Sequence, residues 1–323
     1  PLIVRASPDW YTKAEAVPFV VPGDDDRNEG YKRLVQMSLD DSVGFVAKRE
    51  AVDEYGWRHF GDLYGDHESA HHQGPEIFLS HYNNQYDAVA GFATQFFRFG
   101  ETDWYRLMDE LARHVVDIDL YHTTEDKSTY NGGQFWHTIH YIDAGTSTHR
   151  AYPPAEGVNG GGPSTGNLYA HGLLLHYYLT GSRLSREAVE SLGQYVIDAD
   201  DGRRTVFRFL ARGYTGHVSE SGFDEFHGPG RSPANAISAL LDAYRLTDEP
   251  RFLDKAEQLI RRCIHPRDDI EARDLGDAEH RWFYTMFLQT LGKYLMLKVE
   301  KNQADFMYHY ARESLLNYAA WAT

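Results

Sequence analysis

The residues best equipped for chemistry crowd into one stretch, STHRAYPPAEGVNGGGPSTGN, which begins at Ser147. His149 can trade a proton near neutral pH, and the planar fork of Arg150 matches a carboxylate. Tyr152 could serve as base or acid. Asn159 heads a glycine run that lets a ligand approach the backbone closely. Just upstream, in QFWHTIHYID, His137 and His140 share one face if the segment is a helical turn. Trp136 and Tyr141 flank them and Asp143 lies beyond; for His140 a place in the core is an equally good reading. The stretch is no phosphate loop, because GxxxxGK[ST] is missing.

Two further stretches carry similar groups. Residues 55–84 hold Trp57, Arg58, His59, Asp62 and Tyr64, then Asp66, His67, Glu68, His71 and His72. The last five have metal-ligating atoms, but their spacing matches no zinc pattern and HExxH is absent from the chain. The expectation is therefore a solvated polar rim facing a sugar, with no metal and no cofactor; calcium has no motif to support it. The segment RGYTGHVSESGFDEFHGPGRSP adds Tyr214, His217, Glu220, Asp224, His227 and Arg231 in a glycine-rich setting.

Composition narrows what such groups could act on. The chain has 323 residues and a net charge of −16, from 48 acidic and 32 basic residues. No Lys/Arg cluster rises above that background, so nucleic acid is an unfavourable partner. An anionic substrate would need cations concentrated in the site itself. No apolar run reaches the roughly 18 residues of a membrane span, so no membrane partner is expected. The single cysteine, Cys263, excludes an internal disulfide and lies in an apolar helical stripe, as a buried thiol would. Pro1 reads as an internal start, with no targeting leader. Seventeen histidines, 22 tyrosines and six tryptophans suit a cleft that stacks on sugar rings and moves protons, and equally an aromatic-rich core.

The elements that must position these groups read as helix after helix. After an extended entry, AVPFVVPGDD, helical spacing runs through RNEGYKRLVQMSLDDSVGFVAKR, YDAVAGFATQFFRFG and DWYRLMDELARHVVDIDLYH. It continues through TGNLYAHGLLLHYYLTG, SREAVESLGQYVIDAD, TVFRFLARGYTG and SPANAISALLDAYRLTD, and then through three more segments to the C-terminus. Three stretches share one grammar: FFRFGETDWYRLMDELARHV, YYLTGSRLSREAVESLGQYV and AYRLTDEPRFLDKAEQLIRR. Each has an aromatic helix end, a tight Gly or Asp turn and an amphipathic helix. Repeated pairs of this kind predict an all-α fold, an α/α toroid of about ten to twelve helices. GLLLHYYL and WFYTMFLQTL read as inner helices, SREAVESLGQYV and RFLDKAEQLI as outer ones. Strands are expected only near the N-terminus and in short loop hairpins. No linker divides the chain, which reads as one domain over residues 1–323. In a toroid the loops at one end line a central cleft, and the long loops 55–84 and 123–167 qualify.

Five motifs, GWRHFGD, NNQYD, ARHVVDIDLYH, STHRAYP and HGLLLHYYLTG, occur in the order and character of a known family. Over roughly residues 55–181 the chain resembles the central helical domain of YetA-like proteins and rhamnogalacturonan exolyases (polysaccharide lyase family 26). The resemblance implies an α/α toroid that follows an N-terminal β-rich domain, and β-elimination beside a uronate carboxylate in a polysaccharide or oligosaccharide. Such an enzyme must neutralise the carboxylate, remove the C5 proton and protonate the leaving oxygen. Arg150 with His149 fits the first task, and Arg58 is the next choice. Tyr152, His137, His140 and Tyr214 are candidates for the proton transfers, and Trp57, Asp62, Trp136, Asn159, His217 and Glu220 for sugar contacts. Polymer degradation points to the cell exterior.

Two alternatives stay open. A glycoside hydrolase on the same scaffold would need two carboxyl groups, drawn from Asp62, Asp143, Glu156, Glu220 and Asp224. A carbohydrate-binding module would use aromatic platforms at Trp57, Trp136 and Tyr152.

Overall fold

From Pro8 onward the computed structural model is a succession of helices. It describes residues 3–15, 17–53, 55–65, 80–125, 128–135, 163–205, 208–209, 214–219 and 228–323. The helices are α1 (Pro8–Lys13), α2 (Glu29–Met37), α3 (Phe45–Val52), α4 (Ala88–Phe99) and α5 (Thr102–His114), then α6 (His171–Thr180) and α7 (Arg183–Asp200). They continue as α8 (Arg231–Thr247), α9 (Pro250–Cys263), α10 (Ala278–Arg281), α11 (Tyr284–Glu300) and α12 (Phe306–Ala322). The described chain is thus mostly helical. Its sheet content is one antiparallel pair, β1 (Tyr64–Gly65) and β2 (Ser80–His81), with Tyr64 opposite His81. No described helix is long and apolar enough to cross a membrane.

The three repeated stretches become three copies of one turn. Gly100 after α4, Gly181 after α6 and Asp248 after α8 all adopt the left-handed conformation, at φ 69°, 72° and 56°. Each donates its N–H to the carbonyl four residues back, Phe96 (2.8 Å), Tyr177 (2.7 Å) and Tyr244 (2.8 Å). This cap satisfies an orphan carbonyl and reverses the chain into the next helix.

Two compact units share the sequence. One takes the described residues within Pro1–Leu120, Phe135–Gly162 and Gly172–Ser185, the other those within Tyr121–Gln134, Pro163–His171 and Arg186–Thr323. In the first, α4 packs on α1 and α5. The NNQYD motif proves to be a junction. Asn84 accepts from the Val89 N–H at 3.0 Å, and Asp87 caps α4 and also accepts from the Gly172 N–H at 3.0 Å. In the second unit, α8 packs against α9 and α11. It is buried along almost its whole length, with Ile237, Leu240 and Leu241 at 0–1% exposure, each contributing about 1.5–3 kcal/mol by burial. A Cβ on Gly193 of α7 would meet Ala243 at 2.6 Å and Phe252 at 3.0 Å, so this helix approaches α8 and α9 by having no side chain there. Cys263 is a buried thiol, as expected.

Several details differ from the sequence reading. The segment expected as one helix over residues 27–49 breaks into α2 and α3. At Gly44 a Cβ would lie 2.6 Å from the carbonyls of Ser38 and Asp40, and the Asp40 carboxylate turns back onto the Ser42 N–H at 2.8 Å. Helix α11, read as apolar all round, buries one face through Phe287, Leu291, Tyr294 and Lys298 and leaves Val299 exposed. The described part of TVFRFLARGYTG forms turns, and the rest lies outside the described residues. The strand pair lies in the 55–84 loop, where a short hairpin was expected, and the described residues near the N-terminus hold no strand.

Candidate functional site

In the first unit, α5 carries His114 to its last position, where the side chain is buried. The chain then makes a π-helical turn, Val115–Asp119, closed by the Leu120 N–H on the Val115 carbonyl at 3.1 Å. Five residues per hydrogen-bonded loop bring Asp119 back toward His114, with Nε2 and Oδ1 3.4 Å apart. His114 Nε2 is also 3.8 Å from Asp62 Oδ1, and its Nδ1 donates to the Phe60 carbonyl at 3.1 Å. Burial alone would push the His114 imidazole down; Asp119 and Asp62 outweigh it and lift its pKa to about 9, so it is a cation at neutral pH.

Asp62 binds on several sides. Its Oδ1 accepts from the N–H groups of Leu63 (2.6 Å) and Asn83 (3.2 Å), and Oδ2 lies 2.6 Å from His81 Nδ1. Asp62, His81 and Asn83 are all essentially buried. The His81 ring stacks on that of His59, centroids 5.1 Å apart and planes at 21°. One ligand atom from each of His59, Asp62 and His81 falls within a common 4.8 Å.

Beside this cluster opens a cavity of about 860 Å³. Tyr55, Trp57 and Phe60 form an aromatic side, with Trp57 75% exposed, and Asp109, Arg113 and Asp117 a charged side. Asp109 accepts from Arg113 Nε at 3.0 Å and faces His176 Nε2 at 3.0 Å. Burial raises its carboxyl, but His176 and Arg113 outweigh that and hold it below the usual range. The other nitrogen of His176 lies 2.8 Å from Ser185 Oγ. Ser, His and Asp in a row look like a nucleophilic triad by residue type. Ser185 is 0% exposed in the first turn of α7, so no substrate reaches it and the row is structural.

In the second unit a cavity of about 440 Å³ opens at the start of α8. Its wall includes Thr129 and Pro163 to Asn167, the described ends of the long loop 123–167. Thr165 Oγ1 bonds Ser232 Oγ at 2.7 Å, and Asn235 donates to the Gly166 carbonyl at 2.8 Å, which fixes this loop end on α8. Arg204, Arg231 and His217 also line the cavity. Arg204 is anchored to the carbonyls of Ser128 and Asn131 and stacks over the Tyr195 ring at 4.7 Å. Arg231 lies 4.9 Å over the Phe283 ring and makes no ion pair among the described residues. Among the described residues that line this cavity none is acidic. Arg231 and Ser232 also open α8, adding the positive end of a helix dipole.

The residues proposed from the sequence are thus distributed. Trp57 and Asp62 are in the first unit, Trp57 on the cavity wall and Asp62 buried as an internal acceptor rather than a sugar contact. Arg58 stacks over Trp57 at 5.6 Å. In the second unit His217 lines the cavity, whereas Tyr214 covers Arg262 of α9, its ring 3.7 Å from the guanidinium carbon, and is not among the lining residues. His137, His140, His149, Arg150, Tyr152, Trp136, Asn159 and Glu220 lie outside the described residues, as do the proposed metal ligands Asp66, His67, Glu68, His71 and His72. Sequence reasoning passed over His81, His114, Asp119 and Arg204. Only the five-residue spacing of His114 and Asp119 was a signal, and it is legible only once a π turn is assumed. Compared with family models, with curated proteins and with solved structures, the chain matches none.

Proposed function

We propose that this chain is a polysaccharide lyase that cleaves a uronate-containing glycan, of pectin or rhamnogalacturonan type, by β-elimination on an α/α toroid outside the cell. One observation carries the reading: in a protein of net charge −16, the cavity at the start of α8 has two arginines, a histidine and several hydroxyls on its described wall and no carboxylate. Arg204 is already paired with Asp198 at 3.4 Å, and Arg231 is left as the cation an acidic sugar requires. The helix–turn–helix repeats are the units that would close into a toroid.

In this proposal Arg231 pairs with the uronate carboxylate and stabilises the charge that grows on it as C5 loses its proton. His217 takes that proton. The C5–H electron pair becomes the C4–C5 double bond, the C4–O bond breaks, and the leaving oxygen takes a proton from water.

A hydrolase would find its carboxyl pair in the first unit's cavity, at Asp109 and Asp117. Hydrolysis needs one of the two protonated at neutral pH, and the lowered pKa of Asp109 bars it from that acid role. The exposed Tyr55 and Trp57 there suit glycan binding instead.

The test is incubation with polygalacturonate and rhamnogalacturonan. A lyase produces the ultraviolet absorbance of an unsaturated uronate in step with new reducing ends. Reducing ends without that absorbance would establish hydrolysis, and binding without either would establish a binding module. Arg231→Ala is expected to lower kcat/KM by about 100-fold or more, with partial recovery in Arg231→Lys. Wild-type turnover in Arg231→Ala would remove this cavity from the mechanism.

A further inference from the structure

We infer that His59, Asp62 and His81 form a binding site for a divalent transition metal of the zinc class. The three residues come from two places in the sequence, the turn that follows Gly56 and strand β2, and they are brought together by the Tyr64–His81 register of the strand pair. Their ligand atoms share a sphere in which none is more than 4.8 Å from another. Two imidazole nitrogens and one carboxylate oxygen are the donor set of three-ligand zinc sites, which keep a fourth position for water. Calcium and magnesium prefer all-oxygen sets, so the two histidines select against them.

The surroundings are built to hold that geometry. Asp62 is buried, and two backbone N–H groups clamp its Oδ1 and leave Oδ2 toward His81. Asn83 reaches its place on Asp62 through a left-handed backbone, φ 47°, which a non-glycine residue adopts at a cost. Its buried side-chain amide has no hydrogen-bond partner among the described residues. A metal-bound water is the kind of group that satisfies such an amide. Asp62 Oδ2 and His81 Nδ1 now stand at 2.6 Å, hydrogen-bond distance. Neighbouring ligands on tetrahedral zinc stand about 3.3 Å apart. Metal uptake therefore replaces the proton between them and separates the pair by under about 1 Å.

The site is independent of the lyase proposal, and its test reads the metal alone. Protein stripped with a chelator is titrated with Zn²⁺ by calorimetry and with Co²⁺ by visible absorption. The expected result is one metal per chain, ligand-field bands from bound Co²⁺, proton release on binding, and no competition from Ca²⁺. His59 is only half-buried on its turn, so His59→Gln keeps the fold and should weaken Zn²⁺ by about tenfold or more and alter the Co²⁺ bands. Asp62→Asn, which conserves shape, should do the same. Absence of stoichiometric binding overturns the assignment, and so does Zn²⁺ binding equally tight in wild type, His59→Gln and Asp62→Asn, since that metal would sit on other histidines.

Discussion

Buried carboxylates in this protein work by having a cation brought to them, and Asp242 shows how much that matters. It is fully buried on α8, 2.6 Å from Lys293 Nζ and 3.0 Å from His171 Nδ1. Burial raises its carboxyl, and Lys293 and His171 outweigh that, holding the pKa at about 2 against an ordinary 3.8. A depressed folded-state pKa gives stability that is complete above the unfolded value and is lost as pH falls through the folded one. The window is therefore about 3.8 down to about 2, and the contribution is on the order of 2 kcal/mol. Asp242→Asn should cost on the order of 3 kcal/mol at pH 7, because it strands Lys293. In denaturant titrations the gap to wild type should narrow as pH drops below 4; a gap constant with pH would mean the carboxylate is not carrying it. Pairs such as this were invisible in the sequence because their partners come from separate helices. Charged and aromatic residue types could be read there, and His217 and Trp57 do face cavities. Asp62 also looked surface-bound, because GWRHFGD is polar, yet its carboxylate turns inward onto His81.

At the level of elements the sequence was far more legible, because helical spacing and caps are local. The repeated Gly/Gly/Asp turn is the clearest case. Gly181 sits at φ 72° with nothing within 4 Å of where a Cβ would be. Gly181→Ala therefore tests backbone strain alone and should lower stability by about 1 kcal/mol in a urea titration. No measurable loss would show that the turn relaxes out of its left-handed conformation. Asp248 already tolerates the same conformation, helped by its exposed pairing with Lys301 at the end of α11. What misled the reading were non-local effects. The Gly44 approach that splits α2 from α3 depends on backbone carbonyls one turn away, and the one-sided burial of α11 depends on which neighbours it has. The π turn was hidden for a related reason. VVDID has ordinary helical composition, and only the pull between Asp119 and His114 marks the change of pitch.

The whole molecule sets an electrostatic condition on any acidic ligand. A chain of charge −16 repels a polyuronate at long range, while in the proposed mechanism Arg231 attracts its carboxylates at contact. Raising ionic strength from 10 mM to 100 mM shortens the screening length from about 30 Å to about 10 Å, which removes the first effect before the second. KM for polygalacturonate should thus fall over that range, by about threefold to tenfold, and a steady rise would contradict the proposed cavity. The division of the sequence between the two units has a further consequence, for synthesis. The last residue of the first unit is Ser185, but the second needs everything to Thr323. At about 5–20 residues per second a ribosome takes roughly 7–28 s to cover that distance. Throughout that interval the early pieces of the second unit, with apolar Leu168 and Tyr169, are already made but lack the helices that will bury them. The nascent chain thus carries its own unfinished surface, and no truncation that keeps the whole first unit removes it: ending the gene after residue 185 would keep those pieces and delete their shelter.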